Sequence, residues 1–449
     1  MYVIKQKKIM NSVFNQLTFK RQPDIQYKSR EEIAAFQNEC LQEQISYVYS
    51  HSPYYKRLFD ESHVSPEDIK TVADLQRLPV TTKTELQKFN NDFFCVPQSE
   101  IVDIVTTSGT TGDPVVVGLT KHDLDRLSYN EFLTFSAAEL TKDDIIQLTC
   151  TLDKRFMAGM AYFLGAVELG TGIVRVGGGV PQLQWDTIQR IHPTTLMCVP
   201  SFLIKLAEFA EKNGIDFHKS GIKKAICIGE SIRTKEFGFT ELSKHIDERW
   251  GEIKLYNTYA STEMQTGFSE CSFGCGGHHQ PELIIVEFLD ENNNPVADDE
   301  PGEVTITHIG VEGMPLVRFK TGDICYHHTE KCKCGRNTMR LSAVIGRRSQ
   351  MLKVKGTTVY PPALFDVLDP LPEVANYVVE AFTNELGTDE IKILVGTNIP
   401  SEELQKKIKD LYRAKVRVAP IIEFADPVDV DKIRIEEGQR KITKFVDKR

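Results

Sequence analysis

Short apolar runs alternate with helical patterns in the middle of this chain, between residues 141 and 230. The apolar runs lie at 145–149, 172–176, 195–199 and 224–228. Segments with apolar residues at helical spacing lie at 159–169, 185–191 and 201–212. A repeated strand–helix order is typical of a parallel sheet whose crossover helices cover its faces. The pattern therefore predicts an α/β fold for this part of the chain.

Polar, glycine-containing segments lie next to several of the predicted strands, at 106–114, 177–179 and 229–231. In parallel α/β sheets, ligands gather beyond the carboxyl ends of the strands. These three segments are therefore the candidate ligand loops.

The segment Thr106–Pro114 carries two glycines and five hydroxyl side chains, and it follows an apolar run at 101–105. Backbone N–H groups and hydroxyls in such a turn can converge on an anion. Gly109 and Gly112 allow positive φ and close approach to a ligand. A Walker A loop is excluded because no Gly-Lys-Ser/Thr follows. A loop that grips a triphosphate and a Ser/Thr-rich hairpin turn are both consistent with the composition.

Two further polar turns carry carboxylates, at 254–263 and 321–323. In the first, Glu263 can hold a divalent ion on phosphates and Tyr259 can stack on a base. In the second, Asp323 can accept hydrogen bonds from a ribose diol. Taken singly, a surface turn explains Glu263 better, and an ordinary turn aspartate explains Asp323 better.

Four of the ten cysteines cluster together with histidines. Cys271 and Cys275 precede the pair His278–His279, and Cys332 and Cys334 follow further along the chain. Thiolates and imidazoles at short spacing suit a tetrahedral Zn²⁺ ion, and four protein ligands leave no open position, so such a site is structural. The cysteine and histidine candidates outnumber the four ligand positions of such a site. Chance clustering of these residues is the less favoured alternative. The ligands that we select are Cys271, His278, Cys332 and Cys334.

The length of 449 residues exceeds that of one ordinary core, so roughly two or three structural units are expected. The composition changes near Gly346, and short predicted strands and helices follow. We therefore expect one domain at 1–345 and a separate α+β domain at 346–449.

The chain is acidic, with a net charge of −9 and a pI of about 5.8. A basic footprint for nucleic acid is absent, so no nucleic-acid partner is expected. No apolar run approaches the roughly 18–20 residues of a membrane span. The basic first residues are not followed by the apolar region of a signal peptide. We expect a cytoplasmic protein without a membrane partner.

Together, the motifs follow an order that resembles the adenylate-forming superfamily. They are Thr106–Pro114, Gly229–Glu230, Tyr256–Glu263, Thr321–Asp323, Gly346–Arg347 with Lys355–Gly356, and a lysine near the C-terminus. Within this superfamily the chain is most similar to the phenylacetate–coenzyme A ligase-like branch. The short loop at 110–117, the ending Phe445–Arg449 and the Cys/His insertion carry that similarity.

The resemblance implies a large, multi-layer N-terminal α/β domain, a small mobile C-terminal α+β domain, and a site between them. It implies ATP-dependent ligation of a carboxylic acid to coenzyme A through an acyl-adenylate, with release of AMP and pyrophosphate. The expected cofactors are ATP, Mg²⁺, coenzyme A and a structural Zn²⁺. A homodimer is possible by family likeness only.

The resemblance also implies roles for single residues. ATP and AMP binding falls to Ser108, Gly109, Thr110, Thr111, Gly112, Gly229, Glu230, Asn257, Tyr259, Ala260, Ser261, Thr262, Asp323 and Arg347. Glu263 would hold Mg²⁺, and Lys441 would meet the charge that grows on the α-phosphate. Lys444 is the rival for this role. The chain departs from the family before Lys441, where it has Gln-Arg in place of an expected glycine.

For the second half of the reaction, the resemblance assigns Lys355 and Gly356 to the passage for the pantetheine arm of coenzyme A. The small domain would turn on a hinge near Ser349, where the chain lacks the usual family aspartate. The acyl pocket is expected to contain Phe156, Met157, Met160 and Trp185. Their size favours an aryl, arylacetic or medium-length acyl acid, although a core role explains them at least as well.

Two other functions compete with the coenzyme A ligase. The first keeps the adenylation but passes the acyl group to a carrier-protein thiol or to an amine. The second is a zinc-stabilised nucleotide-binding module without catalysis, which the joint presence of Lys441, Glu263 and Asp323 disfavours.

Overall fold

The computed structural model describes residues 17, 19–107, 114–354, 357–384, 389–435 and 442–449. The chain divides into two compact units. The first extends to Thr321 and includes Tyr326–Ala343, and the second comprises Gly322–Cys325 and Val344–Arg449. Within the described residues, no helix is long and apolar enough to cross a membrane.

The first unit contains helices whose starts follow from local chemistry. Ser29 and Thr120 form capping boxes with Glu32 and Asp123, which satisfy backbone N–H groups of the first helical turn. The described α-helices of this unit are α1 (Arg30–His51), α2 (Pro53–Glu61), α3 (Lys83–Lys88), α4 (Lys121–Ala137), α5 (Met157–Leu169), α6 (Pro181–Ile191), α7 (Pro200–Lys212) and α8 (Glu241–Trp250).

The strands of the first unit are mostly short. In chain order they are β1 (Ile101–Thr106), β2 (Val116–Thr120), β3 (Ile145–Leu148), β4 (Gly172–Arg175), β5 (Thr195–Cys198), β6 (Lys224–Cys227), β7 (Lys254–Ser261), β8 (Thr266–Glu270), β9 (Gly277–His278), β10 (Ile284–Leu289), β11 (Gly302–His308), β12 (Phe319–Cys325), β13 (His327–His328) and β14 (Arg340–Leu341). The last four residues of β12 belong to the second unit.

Nine of these strands form one sheet, in the order β13-β14-β9-β8-β7-β6-β5-β3-β4. The five strands from β4 to β7 pair in parallel. Beyond β7 the pairing is antiparallel through β8, β9, β14 and β13. Strands β1 and β2 form a separate antiparallel hairpin, and β10 pairs antiparallel with β11.

The parallel part of the sheet has a helical layer on each face, because successive residues of a strand point to opposite sides. Leu196 and Cys198 of β5 pack into a cluster with Trp185, beneath α6, α7 and α8. Met197, the residue between them, packs on the other face with Phe135 of α4 and Tyr162 of α5. The predicted α/β fold is therefore confirmed.

The second unit is a smaller α+β assembly. Its strands are β15 (Gly346–Arg347), β16 (Leu352–Val354), β17 (Thr357–Val359), β18 (Asn376–Thr383), β19 (Asp389–Gly396), β20 (Ile421–Ala425) and β21 (Phe445–Asp447). Its described α-helices are α9 (Pro361–Leu368), α10 (Glu402–Lys415) and α11 (Pro427–Arg434). A sheet in the order β20-β19-β18-β21 carries its core, and the end of β12 pairs with β15.

Candidate active site

The turn that follows β6 is tied to the start of α7. Gly229 has a φ of 76°, a backbone conformation that glycine adopts without strain. The carboxylate of the next residue, Glu230, accepts hydrogen bonds from the backbone N–H of Ser201 at 2.9 Å and from its hydroxyl at 3.0 Å. Glu230 therefore fixes the turn at the carboxyl end of β6, one of the predicted ligand loops.

Strand β7 presents an unsatisfied acceptor next to this turn. Asn257 pairs with Cys227 of β6 in the sheet register, and its backbone N–H donates to Glu270 at 3.2 Å. The side-chain oxygen Oδ1 of Asn257 is buried and has no hydrogen-bond partner within the described chain. A buried acceptor of this kind is costly unless a ligand or water supplies a donor.

The aromatic ring of Tyr259 lies further along β7. It stacks on Phe268 of β8, with ring centroids 5.8 Å apart and an interplanar angle of 28°. Three more predicted nucleotide residues follow: Ala260, which is exposed, and Ser261 are the last residues of β7, and Thr262 comes directly after it; Ser261 and Thr262 are half-buried. The sheet therefore gathers the predicted residues of β7 and the turn after β6 at the carboxyl ends of neighbouring strands.

A lysine that the sequence analysis did not identify lies against Glu263. The ammonium group of Lys83, at the start of α3, contacts the Glu263 carboxylate and donates to the Thr107 hydroxyl at 3.0 Å. Thr107 also pairs through its backbone with Val115, so the described residues on either side of positions 108–113 lie close together. Lys83 and Glu263 thus form a charged pair beside Thr107, the residue that precedes the predicted triphosphate loop.

The backbone behind Glu263 is held by a buried guanidinium. Arg126 of α4 donates to the carbonyl oxygens of Gln265 at 2.6 Å, Ile309 at 2.8 Å and Leu283 at 2.5 Å. Burial lowers the pKa of Arg126 to about 10, so it stays charged at neutral pH. These charge-assisted hydrogen bonds tie the segment that follows Glu263, through Gln265, to the backbone at Leu283 and Ile309.

The four residues predicted for the acyl pocket do not lie together. Phe156 packs against the core cluster on the α4–α5 face of the sheet, and Met157 is buried with Met160 half-buried on α5. Trp185 belongs to the opposite face, where it stacks on Trp250 and donates to the carbonyl of Leu206 at 3.0 Å. For Trp185 the contacts favour the core role that the sequence left open.

The second unit brings together two predicted nucleotide residues, Asp323 and Arg347. They are opposite each other in the β12–β15 pairing, and Arg347 Nε donates to Asp323 Oδ1 at 3.2 Å. Asp323 is largely buried, whereas the side chain of Arg347 is about half exposed. The guanidinium thus helps to orient the Asp323 carboxylate.

Several predicted residues lie outside the described residues. They are Ser108, Gly109, Thr110, Thr111, Gly112, Lys355, Gly356 and Lys441. Lys444, the rival of Lys441, is described, and its ammonium group pairs with the Asp369 carboxylate at 3.1 Å.

The cysteine and histidine residues selected from the sequence converge in the first unit. One ligand atom from each of Cys271, His278, Cys332 and Cys334 lies within 4.8 Å of the others. The His278 Nδ1 atom lies 3.0 Å from the Thr338 hydroxyl, and its Nε2 lies 3.5 Å from the Cys334 sulfur. The imidazole is therefore oriented with one nitrogen toward the thiols, as metal-binding histidines are.

The thiols of this cluster are electrostatically coupled. Hydrogen bonding from the Cys271 thiol, and then from His278, holds the pKa of the Cys334 thiol well below its usual value. Burial raises the pKa of Cys332 to about 11. Cys275 lies beside the group, its sulfur 3.4 Å from that of Cys332. A metal cation would favour the thiolate form at every ligand position.

His279, the neighbour of His278, lies apart from the sulfur atoms in a polar pocket of the core. Its Nε2 contacts the carbonyl of Ile284 at 3.0 Å and the amide of Gln37 at 3.2 Å. Burial lowers the pKa of His279 to about 4, so it is neutral at pH 7.

Comparison with known proteins identifies the family. The sequence profile of the family "AMP-binding enzyme" matches residues 35–313. The phenylacetate–coenzyme A ligase of Thermus thermophilus is 31% identical over 414 residues, which cover 89% of this chain and 91% of that protein. The phenylacetate–coenzyme A ligase of Aromatoleum evansii is 26% identical over 437 residues, covering 93% of this chain and 96% of that protein.

The fold has a counterpart in a solved structure of 2-hydroxyisobutyryl-CoA ligase in a postadenylation state. That structure aligns with a TM-score of 0.82 and 22% identity, and the alignment covers 96% of this chain and 93% of that one. At this identity the similarity concerns the fold alone. Together with the profile match and the relatives, it confirms the resemblance inferred from the motifs. The chain belongs to the AMP-binding enzyme family, in the phenylacetate–coenzyme A ligase-like branch of the adenylate-forming superfamily.

Proposed function

We propose that this chain is an AMP-forming acid–thiol ligase that joins a carboxylic acid to the thiol of coenzyme A through an acyl-adenylate made from ATP. Membership of the family supports this reaction class. The single structural observation that carries it is the group of Lys83, Glu263 and Thr107, the last of which comes before the predicted triphosphate loop in the chain.

The chemistry of adenylation explains why these groups are useful together. A carboxylate that attacks the α-phosphate of ATP approaches a group of like charge, so cations must offset the phosphate charge. Lys83 supplies an ammonium group at Thr107, and Thr107 and its partner Val115 flank the predicted triphosphate loop in the sequence. Because the same ammonium group pairs with Glu263, the two side chains remain partnered before ATP binds.

Magnesium is proposed to bind at Glu263. Its carboxylate is a hard oxygen donor, mostly shielded from solvent with 15% of the side chain exposed, and it shares the Lys83 ammonium group with Thr107. When bound there, Mg²⁺ supplies positive charge to the phosphates and the leaving pyrophosphate. Lys83 then keeps its hydrogen bond to Thr107 and can donate to a phosphate oxygen.

The adenine base is proposed to bind at the carboxyl end of β7. The buried Asn257 Oδ1 lacks a partner among the described residues and can accept from the exocyclic amine of adenine. Tyr259, already stacked on Phe268, offers its ring to the base. The Gly229–Glu230 turn, fixed by Ser201, completes this edge.

The remaining binding roles are proposed from the family resemblance. Asp323 would hold the ribose diol, oriented by Arg347. By likeness to the family alone, Lys441 is proposed to offset the charge on the α-phosphate. On the same basis, Lys355 and Gly356 are proposed to line the passage for coenzyme A. Lys444 is less suited than Lys441, because its ammonium group is already paired with Asp369.

The acid is proposed to be an aryl or arylacetic acid. Four curated relatives are phenylacetate–coenzyme A ligases. Phe156 and Met160, half-buried at the start of α5, are the proposed lining of the acyl pocket. Trp185 is left out of this pocket because it packs on the opposite face of the sheet.

A structural Zn²⁺ ion is proposed for Cys271, His278, Cys332 and Cys334. Three thiols and one imidazole nitrogen within 4.8 Å form the donor set of a closed tetrahedral site. Four ligands leave no place for a substrate, so the ion would stabilise the fold and take no part in the reaction.

A cytoplasmic location and assembly as a homodimer remain predictions.

The test is AMP release from ATP and Mg²⁺ with a panel of aryl, arylacetic and alkyl carboxylic acids, each with and without coenzyme A. We expect one acid class to give AMP, with turnover that requires coenzyme A. AMP release that is independent of coenzyme A would favour a carrier-protein thiol or an amine as the acceptor. Binding of ATP without AMP release from any acid would contradict the proposed function and favour a non-catalytic module.

A further inference from the structure

A buried ion pair lies between the Cys/His cluster and the turn after β6. The Arg233 Nε atom donates to both carboxylate oxygens of Glu270, at 3.2 Å each. The side chain of Glu270 is 1% exposed and that of Arg233 is 15% exposed. A buried carboxylate and guanidinium need each other, because removal of one leaves the other charge without a partner.

On one side, the pair contacts the backbone that carries the metal ligands. Glu270 directly precedes Cys271 and pairs with Gly277 in the β8–β9 register. The guanidinium of Arg233 lies so close to Gly274 that a side chain there would overlap it. Gly274 and Gly276 have φ of 60° and 97°, so the chain turns tightly between Cys271 and His278.

On the other side, the pair contacts the proposed nucleotide site. Glu270 accepts the backbone N–H of Asn257 at 3.2 Å. Arg233 lies in the segment 231–240, which directly follows Gly229 and Glu230. Within that segment the Arg233 guanidinium stacks over Phe239 at 4.5 Å, and the Ser231 hydroxyl donates to the Arg233 carbonyl at 2.9 Å.

The same segment packs directly on the cysteine-bearing turn. A side chain at Gly276 would come within 2.8 Å of the Phe237 ring and 2.6 Å of the Leu341 carbonyl. Phe237 also meets His328 edge to face, with centroids 4.9 Å apart. The packing of segment 231–240 therefore depends on the backbone conformation between the ligands Cys271 and His278.

We infer that Arg233 and Glu270 are positioning residues that make nucleotide affinity depend on metal binding at the Cys/His cluster. Metal binding orders the turn between Cys271 and His278, the turn holds the Arg233–Glu270 pair, and the pair holds Asn257 and the segment after Glu230. The choice of a nucleotide as ligand rests on the proposed function. The coupling between metal binding and the segment 231–240 does not depend on it.

The first test of the coupling uses no nucleotide. Amide hydrogen exchange is measured on the purified full-length protein, with its metal and after removal of the metal by a chelator. We expect exchange to accelerate by about tenfold or more at 231–240 and at Asn257 when the metal is removed. Glu270→Gln, with metal retained, should give the same local acceleration.

The second test is a cycle of AMP affinities by calorimetry. We expect metal removal and Glu270→Gln each to weaken AMP binding by about tenfold or more, since each releases a charge-assisted contact. Metal removal from the Glu270→Gln protein should add less than about a further threefold, because both changes break one path. Arg233→Lys keeps the charge and should restore part of the affinity that Arg233→Ala loses.

The matched control is Glu287→Gln. Glu287 forms a buried, two-bond ion pair with Arg318, at 3.0 and 2.8 Å, on β10 rather than beside the cluster. This variant should lower thermal stability as Glu270→Gln does, yet leave AMP affinity within about twofold. Metal content, checked by the thiolate–Co²⁺ absorption of the cobalt-substituted protein, should stay unchanged in both variants.

The outcomes separate the coupling from the proposed function. Exchange at 231–240 that does not respond to metal removal overturns the coupling. The coupling is also overturned if metal removal and Glu270→Gln weaken AMP binding independently, so that their two fold-changes multiply in the combined protein. Exchange that responds, in a wild-type protein that binds no AMP, overturns the proposed function and leaves the coupling in place.

Discussion

At the scale of single residues, Lys83 is the site residue that the sequence analysis missed. Glu263 and Asn257 lie in a polar segment that matches one motif of the family, and the order of the motifs identified them. Lys83 lies in a different segment, at the start of α3, and meets Glu263 only through the fold. No pattern along the chain links the two, and so the contact could not be predicted from sequence.

Replacement of Lys83 tests its role in ATP use. Lys83→Ala should lower kcat/KM for ATP by about 10²–10³-fold, the usual cost of losing one charge that faces a transition state. Steady-state rates with ATP varied at saturating acid and coenzyme A measure this. Lys88→Ala, at the exposed end of the same helix, is the control and should stay within about twofold. An unchanged value for Lys83→Ala would remove it from the site.

Glu131 is a buried acid whose protonation should make stability depend on pH. Its Oε1 accepts from Asn130 at 2.8 Å, whereas its Oε2 has no partner among the described residues. Burial raises the pKa of Glu131 to about 8 in the folded protein. The folded state therefore holds a proton that the unfolded state releases, and this contribution to stability falls as pH rises from about 4.5 to about 8.

Glu131→Gln mimics the protonated side chain and should remove that dependence. At pH 8 the variant should have a higher free energy of unfolding than the wild type, by on the order of a few kcal/mol. The difference should shrink toward zero near pH 4, where the wild-type carboxyl is protonated in the folded state and largely so in the unfolded chain. Urea unfolding at the two pH values measures it, and a constant difference would contradict the assignment.

At the scale of helices and strands, periodicity predicted the parallel core well. The apolar runs at 145–149, 195–199 and 224–228 became β3, β5 and β6 with ends one residue shorter. The two-residue strands β9, β13 and β14 were not predicted, because two residues carry no period. They pair only once the Cys/His region has folded, where Gly277 of β9 lies opposite Leu341 of β14.

Trp185 shows the limit of sequence at the same scale. A large aromatic residue in a helical pattern is equally suited to a pocket or to a core. Only the side of the sheet on which α6 packs decides between them, and this is a property of the three-dimensional topology.

The start of α5 depends on the absence of a side chain at Gly159. A Cβ there would overlap the backbone carbonyl of Thr151, which cannot move as a flexible side chain would. Gly159→Ala should therefore displace the helix that bears Met160 and directly follows Phe156. It should destabilise the protein by about 1–3 kcal/mol and raise KM for the acid more than KM for ATP.

Gly178→Ala is the matched control, because a Cβ at that position makes only ordinary contact, 3.4 Å from the Thr149 carbonyl. It should change stability by less than about 0.5 kcal/mol. Thermal unfolding and the two Michaelis constants distinguish the variants, and equal behaviour would show that the approach of α5 to Thr151 is not critical.

At the scale of the whole molecule, the Cys/His cluster should contribute more to stability than to chemistry. Cys332→Ser or prolonged chelation should lower the unfolding midpoint by roughly 5–10 °C. Cys275→Ser, the neighbour excluded from the ligand set, should keep both the metal and the midpoint. Metal analysis and calorimetry measure this; loss of activity with an unchanged midpoint would indicate a catalytic metal.

The two halves of the reaction should separate at Lys441. Lys441→Ala should impair adenylate formation by several kcal/mol of transition-state stabilisation. Thioester formation from a supplied acyl-adenylate should be largely spared. Lys444→Ala is the control, since Lys444 is paired with Asp369, and it should spare both halves. Equal loss of the two halves in Lys441→Ala would contradict the assignment.

The second unit draws its residues from two separate stretches of the chain. Gly322–Cys325 belong to it although Tyr326–Ala343 return to the first unit. A gene fragment that starts after Val344 would lack the strand end that pairs with β15, and the complementary fragment would carry it without its partner. No single cut separates these units cleanly, so exchanging the C-terminal part with that of a relative would require the four-residue stretch to be transferred as well.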